Sequence, residues 1–151
     1  MSATLDTNCL VYASNTADPA HEPARTLIEQ LASGPDLLYL FWPTVMGYLR
    51  IVTHPGILPR PLSPADATHN VAQLLARPHV RTPGEHDGFW DMYLRTAGEH
   101  ARGSQVPDAH LVALMRQHGV RLIYTHDRDF RRFDGIEVRD PFAQTQGSSQ
   151  N

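Results

Sequence analysis

The sequence predicts an α/β fold in which helices cover both faces of a parallel sheet. Short apolar runs of strand length alternate with segments of helical periodicity, the pattern of parallel strands joined by crossover helices. The length of 151 residues is typical of one domain, and an apolar fraction of 41% is sufficient for one hydrophobic core. In such folds ligands bind outside the carboxyl ends of the strands.

The first half of the chain is predicted to form two strands, each followed by two helices. Apolar residues recur at helical spacing from 22 to 32, Pro43 and Pro55 frame the next helix, and Ser63 caps a helix that begins with Pro64. In chain order these elements are strand 2–6, helices 7–14 and 22–32, strand 36–41, and helices 43–54 and 63–76.

The second half is predicted to continue this alternation with shorter strands. Phe89, Trp90, Tyr93 and Leu94 form one face of an amphipathic helix, and the helix that contains "VPDAHLVAL" stops at Gly119. In chain order these elements are strand 79–82, helices 86–100 and 106–118, strand 121–125, a short helix 127–133, and strand 136–138. The domain is expected to cover residues 1–142, and the polar tail 143–151 is expected to be disordered.

The composition excludes several classes of protein. All 13 basic residues are arginine, which excludes P-loop enzymes, Schiff-base enzymes and phosphotransferases that need a lysine. The net charge of -3 gives no general sign of nucleic-acid binding. The single cysteine, Cys9, and the lack of a signal-peptide pattern or a long apolar stretch predict a cytoplasmic protein that does not enter a membrane.

Four aspartates fall where the predicted sheet would place a ligand. Asp6 ends the first strand, Asp108 starts the helix that leads into strand 121–125, and Asp127 and Asp129 follow that strand. Each alone is also explained by helix capping or by the helix dipole. Together, carboxylates at one edge of a sheet repel one another unless a cation binds them, and oxygen ligands favour Mg²⁺ or Mn²⁺.

Three segments that contain these acids resemble one family. "LDTNCLVYA", "VPDAHLVAL" and "LIYTHDRDFRRF", in this order and spacing, resemble the PIN-domain ribonucleases, and most closely the VapC-type toxins of toxin–antitoxin pairs. "LRIVTHPGILPRPLSPADA" is similar to a branch of those toxins, and the resemblance runs from about residue 3 to residue 142. It implies a three-layer α/β/α domain with a short parallel sheet.

The resemblance also implies a set of site residues. Asp6, Asp108 and Asp127 match the family's metal-binding acids, Asp129 stands close behind as a further catalytic acid, and Mg²⁺ or Mn²⁺ is the expected cofactor. Residues expected to contact RNA or to support the acids are Thr7 or Asn8, Arg50, Thr125, and Arg128 with its neighbours Arg131 and Arg132. His110 and His126 have no zinc-site spacing and are expected to be packing or surface residues.

The function implied is that of a metal-dependent endoribonuclease that hydrolyses RNA phosphodiester bonds as the toxin of a toxin–antitoxin pair. The RNA substrate is a transfer RNA or a ribosomal RNA. The expected partners are a cognate antitoxin and a second copy of the chain, in a homodimer or a larger toxin–antitoxin assembly. One departure is Gly47, which stands where PIN domains usually carry a glutamate. The free protein is therefore expected to bind metal weakly, and a glutamate at position 47 should be tolerated if this helix face is open.

Two alternatives remain open at this stage. "DRD" after a strand also resembles the aspartate pair of a metal-dependent phosphatase, but those enzymes usually need a lysine, which this chain lacks. Without the glutamate, the domain is alternatively a catalytically weak PIN-like module that binds RNA or a partner. Cleavage of RNA in the presence of Mg²⁺ or Mn²⁺, with and without a chelator, distinguishes this module from the metal-dependent ribonuclease.

Overall fold

The computed structural model describes residues 1–143, and its centre is a parallel sheet of five strands in the order β3-β2-β1-β4-β5. Ala3 pairs with Leu38 on one side and with Leu122 on the other, so the central strand β1 has two parallel neighbours. The strands are β1 Ala3–Leu5, β2 Leu38–Tyr39, β3 Val80–Arg81, β4 Leu122–Tyr124 and β5 Glu137–Arg139.

Six α-helices and one 3-10 helix connect the strands, as the alternation predicts. The strand predicted over 36–41 is shortened to two residues because Phe41 is already the N-cap of the next helix. The cap predicted at Ser63 is confirmed, since its hydroxyl accepts a hydrogen bond from the Asp66 N–H at 3.1 Å. The helices are α1 Thr7–Ser14, α2 His21–Ala32, α3 Trp42–Val52, α4 Pro64–Leu75, α5 Phe89–Ala97 and α6 Gln105–Gln117, and the 3-10 helix is Arg128–Arg132.

Two hydrophobic cores lie on opposite faces of the sheet and confirm the three-layer arrangement. Successive strand residues point to opposite faces, so Leu38 and Leu40 pack against α1 to α4 while Phe41 and Ile123 pack against α5 and α6. Both sets of side chains are almost completely buried. The parallel sheet is thus largely apolar on both faces, and the buried hydroxyl of Thr4 in its central strand donates a hydrogen bond to the Tyr39 carbonyl at 2.6 Å.

The chain reverses its direction across the sheet between β1 and β4. From β1 it proceeds to β2 and β3 on one side, and then returns to β4 and β5 on the other side. A crevice for ligands opens at such a reversal, at the carboxyl ends of the strands. Asp6 and Thr125 are the residues that directly follow β1 and β4, and the Asp6 N–H donates to the Tyr124 carbonyl at 3.2 Å.

Gly47 lets α3 pack closely against the start of α1. A Cβ atom at this position would lie 2.8 Å from Thr7 Oγ1 and 3.2 Å from Thr7 Cγ2. The Thr7 hydroxyl also donates a hydrogen bond to the Thr44 carbonyl at 3.2 Å. The condition of an open helix face at position 47 is therefore not met, because Thr7 already fills the space that a side chain would need.

No helix within residues 1–143 is long and apolar enough to span a membrane. The predicted polar tail lies outside the described residues, except for Ala143.

We expect Gly47→Ala to lower the free energy of unfolding by about 1 to 2 kcal/mol, the usual effect of overpacking. At an open helix position the same change would raise stability by up to about 1 kcal/mol. The difference arises because both γ atoms of Thr7 lie too close to the new methyl group, so rotation of the threonine exchanges one clash for another. Urea denaturation of both proteins measures the change.

The matched control is the same substitution in a Thr7→Ala background. This background removes both γ atoms and leaves only the Thr7 Cβ, which would lie 3.6 Å from the new methyl group. There, Gly47→Ala should be neutral or stabilising. Equal losses in the two backgrounds would show that Thr7 is not the obstacle.

Candidate active site

Asp6 lies at the centre of the candidate site, where β1 passes directly into α1. It is the N-cap of α1, and its Oδ1 accepts a hydrogen bond from the Cys9 N–H at 3.3 Å. Its Oδ2 accepts a hydrogen bond from the Thr125 hydroxyl. The side chain is buried, and burial raises the pKa of Asp6 although these hydrogen bonds act in the opposite direction.

The Thr125 hydroxyl connects two of the predicted acids. It donates its only proton to Asp6 and accepts a hydrogen bond from the Asp127 N–H at 2.9 Å. The side chain is buried, and the Thr125 N–H is bonded to the Arg139 carbonyl of β5 at 2.9 Å. The structure therefore places Thr125 beside the acids, as expected, and gives its hydroxyl a fixed orientation.

Asp127 and Asp129 bracket the start of the 3-10 helix. Asp127 is its N-cap, and Asp127 Oδ1 accepts a hydrogen bond from the Asp129 N–H at 2.9 Å. The capping role that the sequence allowed for Asp127 is thus present in the structure. It uses one carboxylate oxygen of Asp127, while the Asp129 side chain is exposed.

Asp108 belongs to the first turn of α6 but does not begin it. The helix starts three residues earlier, at Gln105, and Ser104 is its N-cap. The nearest charged partner of Asp108 is Arg132, whose Nη2 lies 3.8 Å from Asp108 Oδ2. The expectation that Asp108 starts the helix is wrong, because the hydrogen-bonded turn already forms ahead of Pro107.

Burial and the other predicted acids determine the electrostatic environment of Asp108. Burial raises the pKa of Asp108 to about 6, with a further increase from the nearby Asp127 carboxylate, a partial offset by Arg132, and smaller increases from Asp129 and Asp6. Only 22% of the Asp108 side chain is exposed. Carboxylates from three segments of the chain therefore repel one another at one edge of the sheet.

Arg132 is held in place by contacts within the 3-10 helix and just beyond it. Its Nη1 donates a hydrogen bond to the Asp129 carbonyl at 2.8 Å, and its guanidinium carbon lies 4.3 Å from the centre of the Phe133 ring. Arg128 and Arg131 of the same helix are exposed. Of the three arginines in this motif, Arg132 is thus the one whose ion pair reaches a site acid.

The other predicted residues occupy more peripheral positions. Asn8 is exposed, and its backbone N–H, rather than its side chain, stabilises the charged form of Asp6. Arg50 is exposed in the last turn of α3. His110 pairs with Glu85 at 2.8 Å, away from the acids. The roles expected for Asn8 and Arg50 stay predictions.

Asp140 is a neighbour of the site that the sequence analysis omitted. It directly follows β5, and its Oδ2 lies 2.8 Å from His126 Nδ1. It is close enough to Cys9, under Asp6, to contribute to the raised pKa of that thiol, of which burial is the main cause. The signal that could have found it is its position after the last predicted strand, the same rule that identified Asp6.

The cavities formed by residues 1–143 include two near the helices. The larger, about 800 Å³, is formed by α1 to α4 and is lined by none of the four acids. The smaller, about 250 Å³, is called here the Arg132 cavity. The Arg132 cavity is lined by Thr96, Ala97, His100, Ala101, Gln105, Ala109, Arg132 and Phe133.

The donor atoms at the site are of the type that divalent metal ions prefer. Asp6, Asp108, Asp127 and Asp129 provide carboxylate oxygens, which are hard ligands suited to Mg²⁺ or Mn²⁺. Within residues 1–143, no three His, Cys, Asp or Glu side chains are placed as a ready-made metal site. The donors fit such an ion chemically, and the mutual repulsion at Asp108 is what a bound cation would relieve.

Comparison with known proteins gives a consistent result. A model of the PIN domain matches residues 3–136. The chain is 54% identical over 144 residues to Ribonuclease VapC48 of Mycobacterium tuberculosis, and this match covers 95% of the chain and 99% of the relative.

Solved structures share the fold at low sequence identity. The toxin VapC20 of Mycobacterium tuberculosis, described as cleaving the Sarcin-Ricin loop, matches with a TM-score of 0.64 at 19% identity, over 89% of this chain and 98% of that one. VapBC2 of Rickettsia felis, bound to a DNA fragment from its promoter, matches with a TM-score of 0.63 at 15% identity, over 92% and 98% of the two chains. The predicted fold is confirmed.

We expect Asp108→Asn to stabilise the metal-free protein at neutral pH. The folded protein keeps the Asp108 proton up to a pH of about 6, whereas an unfolded chain releases it near pH 4. Stability is therefore lost as the pH rises through this window, and asparagine avoids the loss. In EDTA, the variant should exceed the unmutated protein by about 1 to 3 kcal/mol at pH 7.5, and the gain should shrink towards pH 4.

Urea denaturation at pH 7.5 and 4.5 measures this difference. Asp134→Asn is the matched control, because it removes the same charge at an exposed position outside the acid cluster. The control should change stability by less than about 0.5 kcal/mol at either pH. A gain for Asp108→Asn that does not depend on pH would contradict the assignment of carboxylate repulsion to this residue.

Proposed function

From the premise that the chain belongs to the PIN-domain family, and within it to the VapC branch, we propose that it is a metal-dependent endoribonuclease. It hydrolyses RNA phosphodiester bonds and acts as the toxin of a toxin–antitoxin pair. The relative named Ribonuclease VapC48, which matches nearly the full length of both chains, supports the reaction class. The solved toxin and toxin–antitoxin structures of the same fold support the toxin role.

One observation carries the proposal: burial and the neighbouring Asp127 carboxylate raise the pKa of both Asp6 and Asp108 at the switch point of the sheet. Asp6 follows β1, Asp127 follows β4 and Asp108 comes from α6, so no local motif explains their proximity. Helix capping accounts for one oxygen of Asp6 and one of Asp127, but not for Asp108. A cluster that disfavours its own ionisation is typical of a catalytic site.

The roles proposed for the residues follow from their positions. Asp6, Asp108 and Asp127 hold Mg²⁺ or Mn²⁺, and Asp129 assists them from the exposed side. When bound, this ion supplies a water of lowered pKa and offsets the charge of the phosphoryl oxygens. Thr125 keeps Asp6 and the backbone of Asp127 at a fixed separation, while the role proposed for the exposed Asn8, Arg50 and Arg128 is contact with RNA.

Gly47 bears on how strongly the ion is held. Position 47 faces Thr7, the residue after Asp6, so a longer acidic side chain there would reach towards the site, and this chain offers none. Fewer carboxylates attract a divalent cation less. We therefore propose weak binding of one ion in the free protein, with a preference for Mn²⁺ over Mg²⁺, and a second ion that binds only together with RNA phosphate.

A catalytically weak RNA- or partner-binding module is the second candidate. It is favoured by two observations: no three acidic or histidine ligands are pre-positioned within residues 1–143, and position 47 lacks a carboxylate. This candidate shares the fold and the acids but predicts RNA binding without cleavage. The nuclease experiment below separates it from the first.

We expect the purified chain to cleave cellular RNA in the presence of Mn²⁺ or Mg²⁺ and to stop when EDTA is added. Asp108→Asn should reduce the rate by more than about 100-fold, because even residues that only support metal ligands commonly contribute 10- to 100-fold. Mapping of the RNA ends on a sequencing gel measures the rate and identifies the site. Asp134→Asn is again the charge-matched control and should cleave normally. Activity that persists in EDTA, or in Asp108→Asn, would exclude the proposed mechanism.

An antitoxin should occupy this site in the resting cell. Metal-free carboxylates favour any cation, and an arginine of a partner protein can supply one. We expect a small protein encoded beside this gene to copurify with the chain, to restore growth of cells that express it, and to block RNA cleavage. Co-expression followed by size-exclusion chromatography measures the complex and also tests the expected homodimer. A fully active complex would contradict occupation of the acid site.

A further inference from the structure

We propose that Arg132 is the phosphate-positioning residue of this site, and that the Arg132 cavity is a subsite for one nucleotide of single-stranded RNA. The inference rests on the proposed ribonuclease function and adds to it a place where the substrate is held. It is carried by the contacts of Arg132 and by the position of the cavity, which joins this side chain to α5 and α6.

The guanidinium of Arg132 is oriented from two sides. Nη1 is committed to the Asp129 carbonyl at 2.8 Å, and the Phe133 ring supports the flat face at 4.3 Å. Nη2 is directed towards Asp108, at 3.8 Å from Oδ2, which is too long for a hydrogen bond. Nη1 of the guanidinium is therefore anchored, while Nη2 can still donate hydrogen bonds beside the candidate metal ligands.

A phosphate group is the ligand that this free donor fits best. An arginine forms short charge-assisted hydrogen bonds with phosphate oxygens, and these are stronger than the long contact with Asp108. Binding of a phosphate at Nη2 would release Asp108 from its weak ion pair. The same event would therefore place the substrate and leave the Asp108 carboxylate available to a cation.

The Arg132 cavity extends from the guanidinium and has the size and lining of a nucleotide subsite. Its 250 Å³ lies below the range of about 300 to 1,000 Å³ that is usual for pockets of whole drug-sized ligands, so it suits one portion of a longer chain. Three of the lining residues are alanines, whose short side chains leave the cavity open, and Phe133 adds an aromatic surface. Gln105 and His100 provide hydrogen-bonding groups for a base or a ribose.

Lysine would not replace arginine in this arrangement. Its single ammonium group cannot hold the Asp129 carbonyl, rest flat on Phe133 and present a second donor in a fixed direction. Arg132→Lys therefore keeps the charge and loses the geometry, whereas Arg132→Gln loses both. Arg121 is the matched control, because it is an exposed arginine, precedes β4 at the strand end away from the acids, and does not line the cavity.

The test measures binding of a short fluorescent single-stranded RNA to the full chain in EDTA, by fluorescence anisotropy, with a gel to verify that the RNA stays intact. We expect Arg132→Gln to weaken binding by about 10-fold or more, Arg132→Lys by a smaller factor, and Arg121→Gln by less than about 2-fold. Ala101→Phe fills the cavity without changing Arg132, and it should also weaken binding. Urea denaturation verifies that each variant is folded.

A second measurement uses cleavage in Mn²⁺. A positioning role predicts that Arg132→Lys raises KM by more than it lowers kcat. Equal RNA binding by Arg132→Gln and Arg121→Gln would overturn the inference even if the unmutated protein cleaves RNA. RNA binding by Ala101→Phe that equals that of the unmutated protein would overturn the assignment of the Arg132 cavity as the nucleotide subsite. Failure of the unmutated protein to cleave RNA, with binding that still depends on Arg132, would instead refute the proposed nuclease and support the subsite.

Discussion

The hydrogen bond from the Thr125 hydroxyl to the Asp6 carboxylate fixes the centre of this structure. It joins the ends of β1 and β4, the two strands between which the sheet reverses its order. Since the hydroxyl has one proton, its donation to Asp6 leaves only its lone pairs for the Asp127 N–H. One buried side chain thus sets the separation of two acids that come from distant parts of the sequence.

The acid cluster opposes folding, and the two apolar cores on either side of the sheet compensate for it. Burial raises the pKa of both Asp6 and Asp108, which means that the fold disfavours their charged forms. A protein selected for stability alone would place neutral residues there. The cluster is instead retained at the point where an α/β sheet offers its ligand crevice, so its explanation lies in what binds there.

The sequence was sufficient for those features that depend on local pattern and strand direction. Alternating apolar runs predicted the parallel sheet. Because the carboxyl ends of parallel strands lie at one edge of a sheet, the sequence alone also predicted that Asp6 and Asp127 lie near each other. Features that depend on packing between elements were not predictable in this way. Whether Thr7 leaves room for a side chain at position 47 depends on the distance between α1 and α3. Which of the three arginines near the acids forms an ion pair with Asp108 depends on the positions of Asp108 and Phe133 around Arg132.

These two unpredicted features act on the same balance of charge. A carboxylate at position 47 would add attraction for a cation, and in the metal-free protein it would also add repulsion beside Asp6. The close packing of α3 on α1 excludes it, and the guanidinium of Arg132 at 3.8 Å offsets part of the repulsion at Asp108. Under the proposed function, such a site would hold an ion less tightly than one with a further carboxylate. It would then depend more on its substrate, because each RNA phosphate that enters brings the negative charge that the chain itself omits.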